Sequence, residues 1–229
     1  MDKSFYFYFL TLPFMIIMIS CQTKFPYSLS EKGFQKFITD FEKSVEPLMT
    51  QHNQAVWDSY ITGKKEFFES STELSLEIDL IYQNRDQFLY LKKLREENII
   101  SDPLLVRQLD ILYKDYLHKQ IDPDLNKQIK ELASNIESIF ANFRTVLDGK
   151  SYTDNEVTKF LQTEKNLEFR EKIWRAQKSL GAKVANNIIK LAKLRNNAAQ
   201  KLGYDHYFHM AMDGRELDPD QVLTTLMDA

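Results

Sequence analysis

The sequence predicts an all-α fold of seven or eight helices, and three observations carry that prediction. Glycine and proline number six each in 229 residues, too few for the many turns of a sandwich or an α/β fold. Apolar residues recur every three or four positions along most of the chain, and no stretch alternates with period two for long enough to read as a strand. Capping and stop residues bracket the periodic segments. The balance of 43% hydrophobic and 28% charged residues is that of a globular chain able to bury a core.

The elements follow in order. Ser28 and Glu31 have the spacing of a capping box. Phe34, Phe37, Ile38, Phe41, Val45 and Leu48 then repeat at helical spacing. Pro47 predicts a kink or a split, after which the stripe resumes through Ala55, Val56 and Tyr60 and stops at Gly63. A second helix is predicted over about 65–97, burying Leu74, Ile78, Ile81, Phe88 and Leu91. Asp102-Pro103, Asp122-Pro123 and Asp218-Pro219 each place a capping carboxylate before a proline in the first helical position. The Pro123 helix is expected to run on a stripe from Leu125 through Phe143 and Leu147 to a stop at Gly149. Thr153 and Glu156 cap a short helix, and a long one runs from about Leu167 to Gly203, followed by a Tyr- and His-bearing helix. The last helix, from Pro219, has no glycine stop and no basic final turn, which predicts a chain cut rather than finished at 229.

The first 20 residues read as a signal rather than as part of the fold. Lys3, an apolar run from Phe5 to Ile19 and Ser20 before Cys21 give the charged start, apolar centre and small residue of an export signal. With cysteine directly after that small residue, the segment resembles a bacterial lipoprotein signal. The resemblance implies lipidation of Cys21, a tether over 21–27 and a helical domain over 28–229. It also implies an exported protein anchored to a membrane, periplasmic or on the outer membrane or cell surface. Cys21 is the only cysteine, so no disulfide forms within the chain.

Charge and motif content exclude several classes. The net charge is −3, with 30 basic residues interspersed among 33 acidic ones, so no nucleic-acid partner is expected. No glycine-rich phosphate loop occurs, and no Ser-His-Asp or Cys-His centre is supported.

Four motifs carry a family resemblance. They are Ala55-x-Trp57-x-x-Tyr60-x-Thr62-Gly63, Leu109-x-x-Leu112-Tyr113-x-x-Tyr116-Leu117, Arg170-x-x-x-Trp174-x-Ala176-x-Lys178-x-x-Gly181, and Leu194-Arg195-Asn196-x-x-Ala199-x-x-Leu202-Gly203-Tyr204. In this order, spread over 34–212, they resemble the N-terminal half of the angiotensin-converting-enzyme-like peptidyl-dipeptidases, zinc metallopeptidases of the gluzincin type, and their bacterial relatives. The resemblance implies a nearly all-helical, cleft-containing fold that hydrolyses peptides with zinc held on His-Glu-x-x-His and a downstream glutamate. This sequence contains no His-Glu-x-x-His. The expectation is therefore an N-terminal part of such a peptidase, with zinc and peptide substrate bound in the full-length protein by the missing half. No catalytic or metal-binding residue is assigned to this chain, which is expected to be inactive alone. The competing expectation is a free-standing helical lipoprotein that binds a peptide or protein partner without catalysis.

Five residues are candidates for an anion site or for lining the cleft. Arg195 interrupts the apolar stripe of the long helix, where a charge is costly unless paired, so a carboxylate or an anion is expected beside it. Arg170 and Trp174, with Lys178, lie four apart on one face. They could shape a chloride site of the kind the family resemblance suggests, or simply pack. His206 and His209 are three apart near Asp205 and Asp213; Asp205 and His209 have a metal-ligand spacing but lack a third ligand, so a surface or cleft-wall role is expected.

Overall fold

The computed structural model describes residues 25–228, so the segment expected to be an export signal and Cys21 lie outside the described residues. It is all-α apart from one small hairpin, with nine helices among the described residues. In chain order these are α1 (Glu31–Thr62), α2 (Lys65–Tyr82), α3 (Arg85–Glu96), α4 (Pro103–Lys119), α5 (Pro123–Asn142), β1 (Thr145–Leu147), β2 (Lys150–Tyr152), α6 (Asp154–Thr163), α7 (Leu167–Lys201), α8 (Tyr207–Asp213) and α9 (Pro219–Met227). None of the helices is long and apolar enough to cross a membrane.

Most helix starts follow the local chemistry of the sequence. Asp102, Asp122 and Asp218 each accept a backbone N–H of the first turn, with proline in the first helical position. Thr153 and Glu156 form the complete reciprocal capping box. Gly63 and Gly203 end α1 and α7 at φ 68° and 91°, where a side chain would be strained. After α7 the Tyr204 N–H returns to the Ala199 carbonyl at 3.1 Å, closing the helix end.

Four expectations need correction. Ser30, not Ser28, caps α1, accepting the Gly33 N–H at 3.1 Å. Glu31 is released from local capping and instead accepts the Ser101 N–H and hydroxyl at 2.7 Å, tying α1 to the loop before α4. α1 also does not split at Pro47 but continues through it; Pro47 is exposed, so the carbonyl it leaves unbonded can turn to water. The predicted 65–97 helix divides because Asn84 starts a new one, its side chain accepting the Gln87 N–H at 3.0 Å. Finally, α5 stops at Asn142, and the segment expected to extend it folds into an antiparallel hairpin pairing Thr145 with Tyr152. Asp148 and Gly149 form its two-residue turn, both at positive φ (52° and 77°), the signature of a tight hairpin connection.

Packing produces two apolar cores. The larger joins the first half of α1 to α3 and α4, with Phe34, Phe37, Tyr90, Leu91, Leu94 and Tyr116 fully buried. The rings of Phe37 and Tyr90 lie 5.8 Å apart, and those of Tyr82 and Tyr116 5.2 Å apart in an edge-to-face arrangement. The smaller core seats the hairpin and α6 on the start of α7 through Tyr152, Val157 and Ile173. Between these, α1 packs on α2, α2 on α5, and α5 on α7, while α8 turns back onto α7. That succession forms the wall of a cavity.

Candidate functional site

A cavity of about 490 Å3 opens among α1, α2, α4, α5, α7 and α8. Its polar frame starts with Asp79, which follows Ile78 on the buried face of α2 and is only 3% exposed. The Asp79 carboxylate takes Lys119 Nζ at 2.8 Å on one oxygen and Lys130 Nζ at 3.1 Å on the other. Asn126 Nδ2 also donates to the second oxygen, at 2.9 Å. Burial works to raise the Asp79 pKa, but the two ammonium groups and the amide prevail and hold it below the usual carboxylate range. Lys130 shows the opposite balance: burial, then Lys119 and more weakly Arg195, lower its pKa against the pull of Asp79.

A second network fixes the α8 side. Tyr204 donates its hydroxyl to Asp213 Oδ2 at 2.7 Å, and Lys114 Nζ reaches Asp213 Oδ1 at 3.0 Å. His118 Nε2 lies 2.9 Å from the Tyr204 oxygen and 3.1 Å from Asp213 Oδ2. Burial lowers the His118 pKa and outweighs the neighbouring carboxylate, so the neutral imidazole is favoured near pH 7. Burial also leads in raising the Tyr204 pKa, reinforced by Asp213, which keeps the hydroxyl a donor. Gly214 admits this arrangement, since a Cβ there would stand 3.1 Å from the His118 ring. Lys119 occupies the last turn of α4, where a positive group complements the helix dipole.

Of the five candidates from the sequence, Arg195 alone lines this cavity. Among the described residues the expected carboxylate is not beside it. The ion pairs around the cavity join Lys119 and Lys130 to Asp79 and Lys114 to Asp213, and Arg195 takes part in none of them. Its guanidinium stands over the Tyr207 ring, 5.0 Å from the centroid, an arrangement that shields the charge while leaving its donors available. Tyr207 is held there by its backbone N–H, which donates to Asn196 Oδ1 at 3.0 Å.

The other candidates lie elsewhere. Arg170 has a buried Nε without a hydrogen-bond partner, and Trp174, 45% exposed, carries Lys178 rather than Arg170 over its ring. His206 caps α8 without a side-chain bond, and its ring lies 4.1 Å from that of His209. His209 Nδ1 is 3.3 Å from Asp205, but no third ligand joins them. Among the described residues no three of His, Cys, Asp and Glu converge on a point that could hold a metal, so they do not fit a zinc site.

Sequence reasoning missed Asp79, Lys119, Lys130, Tyr204 and Asp213 as members of a site. The available signal was modest: Asp79 directly follows Ile78, and Lys130 directly follows Ile129, each a charge at the margin of an apolar stripe. Spacing along one helix cannot show that such charges meet.

Comparison with curated proteins found none that matches. A family model does match, over residues 28–226, spanning all nine helices but for Met227 at the end of α9, and every residue that lines the cavity. The chain belongs to the angiotensin-converting enzyme family, peptidase M2.

Proposed function

We propose that this chain forms one wall of the substrate cleft of a zinc-dependent peptidyl-dipeptidase, exported and held at a membrane through Cys21. The observation that carries the reading is the family match over 28–226 combined with a polar cavity built from residues of that same region. The sequence has no His-Glu-x-x-His, and the residues present do not fit zinc. The metal, the glutamate acting as general base and the groups gripping the substrate's terminus therefore come from outside these 229 residues. Zinc in such a site supplies an activated water for attack on the peptide carbonyl. This chain's contribution is shape and polarity: α7 and α8 present Arg195 and Tyr207, while Asp79 and Asp213 hold the lysines, His118 and Tyr204 in place.

The test is the size of the native product by immunoblot, followed by assay of the purified protein for release of dipeptides from peptide C-termini. A product two to three times this length, active with zinc and silenced by chelator, is expected. A native product of this length without zinc-dependent activity overturns the reading and leaves a helical lipoprotein that binds without catalysis. The anchor has its own check: Cys21→Ser is expected to lose acylation and leave the membrane fraction, and an acylated, membrane-bound variant excludes lipidation at Cys21.

A further inference from the structure

The central cavity holds more positive charge than its structural pairings use. Asp79 is one carboxylate shared by two ammonium groups, Lys119 at 2.8 Å and Lys130 at 3.1 Å. That triad carries one positive charge over, and Arg195 adds a second from α7. The carboxylate lining the wall, Glu137, is seven residues beyond Lys130 on α5, roughly 10 Å further along the helix. It stands near Tyr60, whose pKa is raised by burial and then by the Glu137 charge. Asp115 is exposed on α4 and does not line the cavity, although its charge acts on His118 and Lys119 from outside it. His52, on the α1 side, has a buried Nδ1 with no hydrogen-bond partner. Among the described residues, then, the cavity combines a guanidinium outside the ion pairs, a surplus ammonium and an unsatisfied imidazole nitrogen.

Arg195 is half-buried, and a partly buried charge without a counter-charge gains from a ligand that supplies the opposite sign. Arg195 is suited to a planar acceptor: its fork matches a carboxylate, and Tyr207 covers one face of it, with the centroid 5.0 Å away. The cavity's 490 Å3 is far more than a single ion needs and admits a side chain with its backbone.

We propose that this cavity is a subsite for an acidic residue of a bound peptide, with Arg195 and the Lys119–Lys130 pair receiving its side-chain carboxylate. The proposal rests on the reading of the chain as a cleft wall and names the substrate class that wall selects. It assigns Arg195 as the residue that determines specificity, and Asp79 as a positioning residue that holds both lysines in place.

The test uses the protein purified at the length cells make it, titrated calorimetrically with acetyl-Ala-Glu-Ala-amide and with its Gln counterpart. Sodium chloride and inorganic phosphate serve as competitors. The Glu peptide is expected to bind about tenfold tighter or more, since charge-assisted hydrogen bonds replace neutral ones. Arg195→Leu removes that preference, Lys130→Met weakens it, and Arg195→Lys, which keeps the charge but not the fork, retains only part of it. Thermal melts of the three variants separate loss of binding from loss of fold. Equal binding of the two peptides overturns the acidic subsite while leaving the cleft reading intact. A preference that survives both Arg195→Leu and Lys130→Met places the carboxylate elsewhere and also overturns it. Binding of phosphate or chloride with no preference for the Glu peptide makes the cavity a small-ion site instead. Binding of neither peptide overturns the proposal, and the zinc-dependent assay then decides the cleft reading separately.

Discussion

The two ends of α1 stand against different surroundings. Its first half enters a core made almost wholly of rings and aliphatic groups, where Phe34, Phe37, Tyr90 and Tyr116 are 0% exposed and each buried tyrosine hydroxyl has an acceptor. Its second half faces the cavity, where α2, α4, α5 and α7 bring together a buried aspartate, two lysines and an arginine. The same secondary structure serves both regions. What differs is that the first is closed by apolar contact, and the second by charges that must satisfy one another. Stability is concentrated in the first region, while the second keeps polar groups poised at the expense of packing.

Breaking the closed region gives the largest effect. Phe37 touches the rings of Tyr27, Phe34, Phe41, Tyr90 and Tyr116. Phe37→Ala is expected to cost about 3–5 kcal/mol in chemical denaturation, from lost transfer energy and the void left behind. A loss under about 1 kcal/mol would mean the core is not the stabilising end.

Asp79→Ala comes next. It leaves Lys119 and Lys130 facing each other, but both are partly exposed (32% and 26%) and can turn toward water. The expected loss is therefore about 2–3 kcal/mol, below that of a fully buried pair. Replacing all three together, as Asp79→Leu with Lys119→Met and Lys130→Met, sharpens the comparison. The triple variant is expected to match or exceed the native protein in stability, because the charges no longer need partners. A triple variant less stable than Asp79→Ala alone would make this region structural in its own right.

Gly203→Val tests the turn that carries Tyr204 back toward His118. At φ 91° a β-branched residue is strained, and the expected loss is about 1–3 kcal/mol by thermal or urea unfolding. An unchanged midpoint would show that the turn adapts.

The smallest effect is one of pH. His118 has its pKa lowered by burial in the folded state, so the unfolded chain binds the proton more readily. Its contribution is therefore fully present above the ordinary histidine value near 6.5 and is lost as pH falls below it. Urea midpoints measured from pH 7.5 to 5 should decline, and His118→Gln should flatten that decline. A decline of equal slope in the variant would assign it to other groups.

Much of the helical layout was legible before any tertiary contact was known. Asp-Pro starts at 102, 122 and 218, the Thr153–Glu156 box and the left-handed stops at Gly63 and Gly203 are each settled within five residues of chain. Even the misread places carried local signals. Asn84-x-x-Gln87 is a cap pattern, and Asp148-Gly149 between β-branched residues and Tyr152 is a hairpin turn outcompeting an apparent helical stripe. The site was far less legible. Arg195 stood out as a charge on an apolar face, but its neighbour is Tyr207 rather than a carboxylate.

By itself the sequence determined the all-α class, where several of the helices begin and end, the family, and the lack of a zinc motif in this chain. These follow from interactions between residues one turn apart, or from the order of residues alone. Only the tertiary structure decided that Glu31 serves the Ser101 loop rather than its own helix, 70 residues away. It alone decided that Asp79, Lys119 and Lys130 share one cluster while Arg195 stands over Tyr207, outside the ion pairs of the described residues. Charges from α2, α4, α5 and α7 meet only once the apolar stripes have packed, and the cost or gain of each charge depends on what packing places beside it.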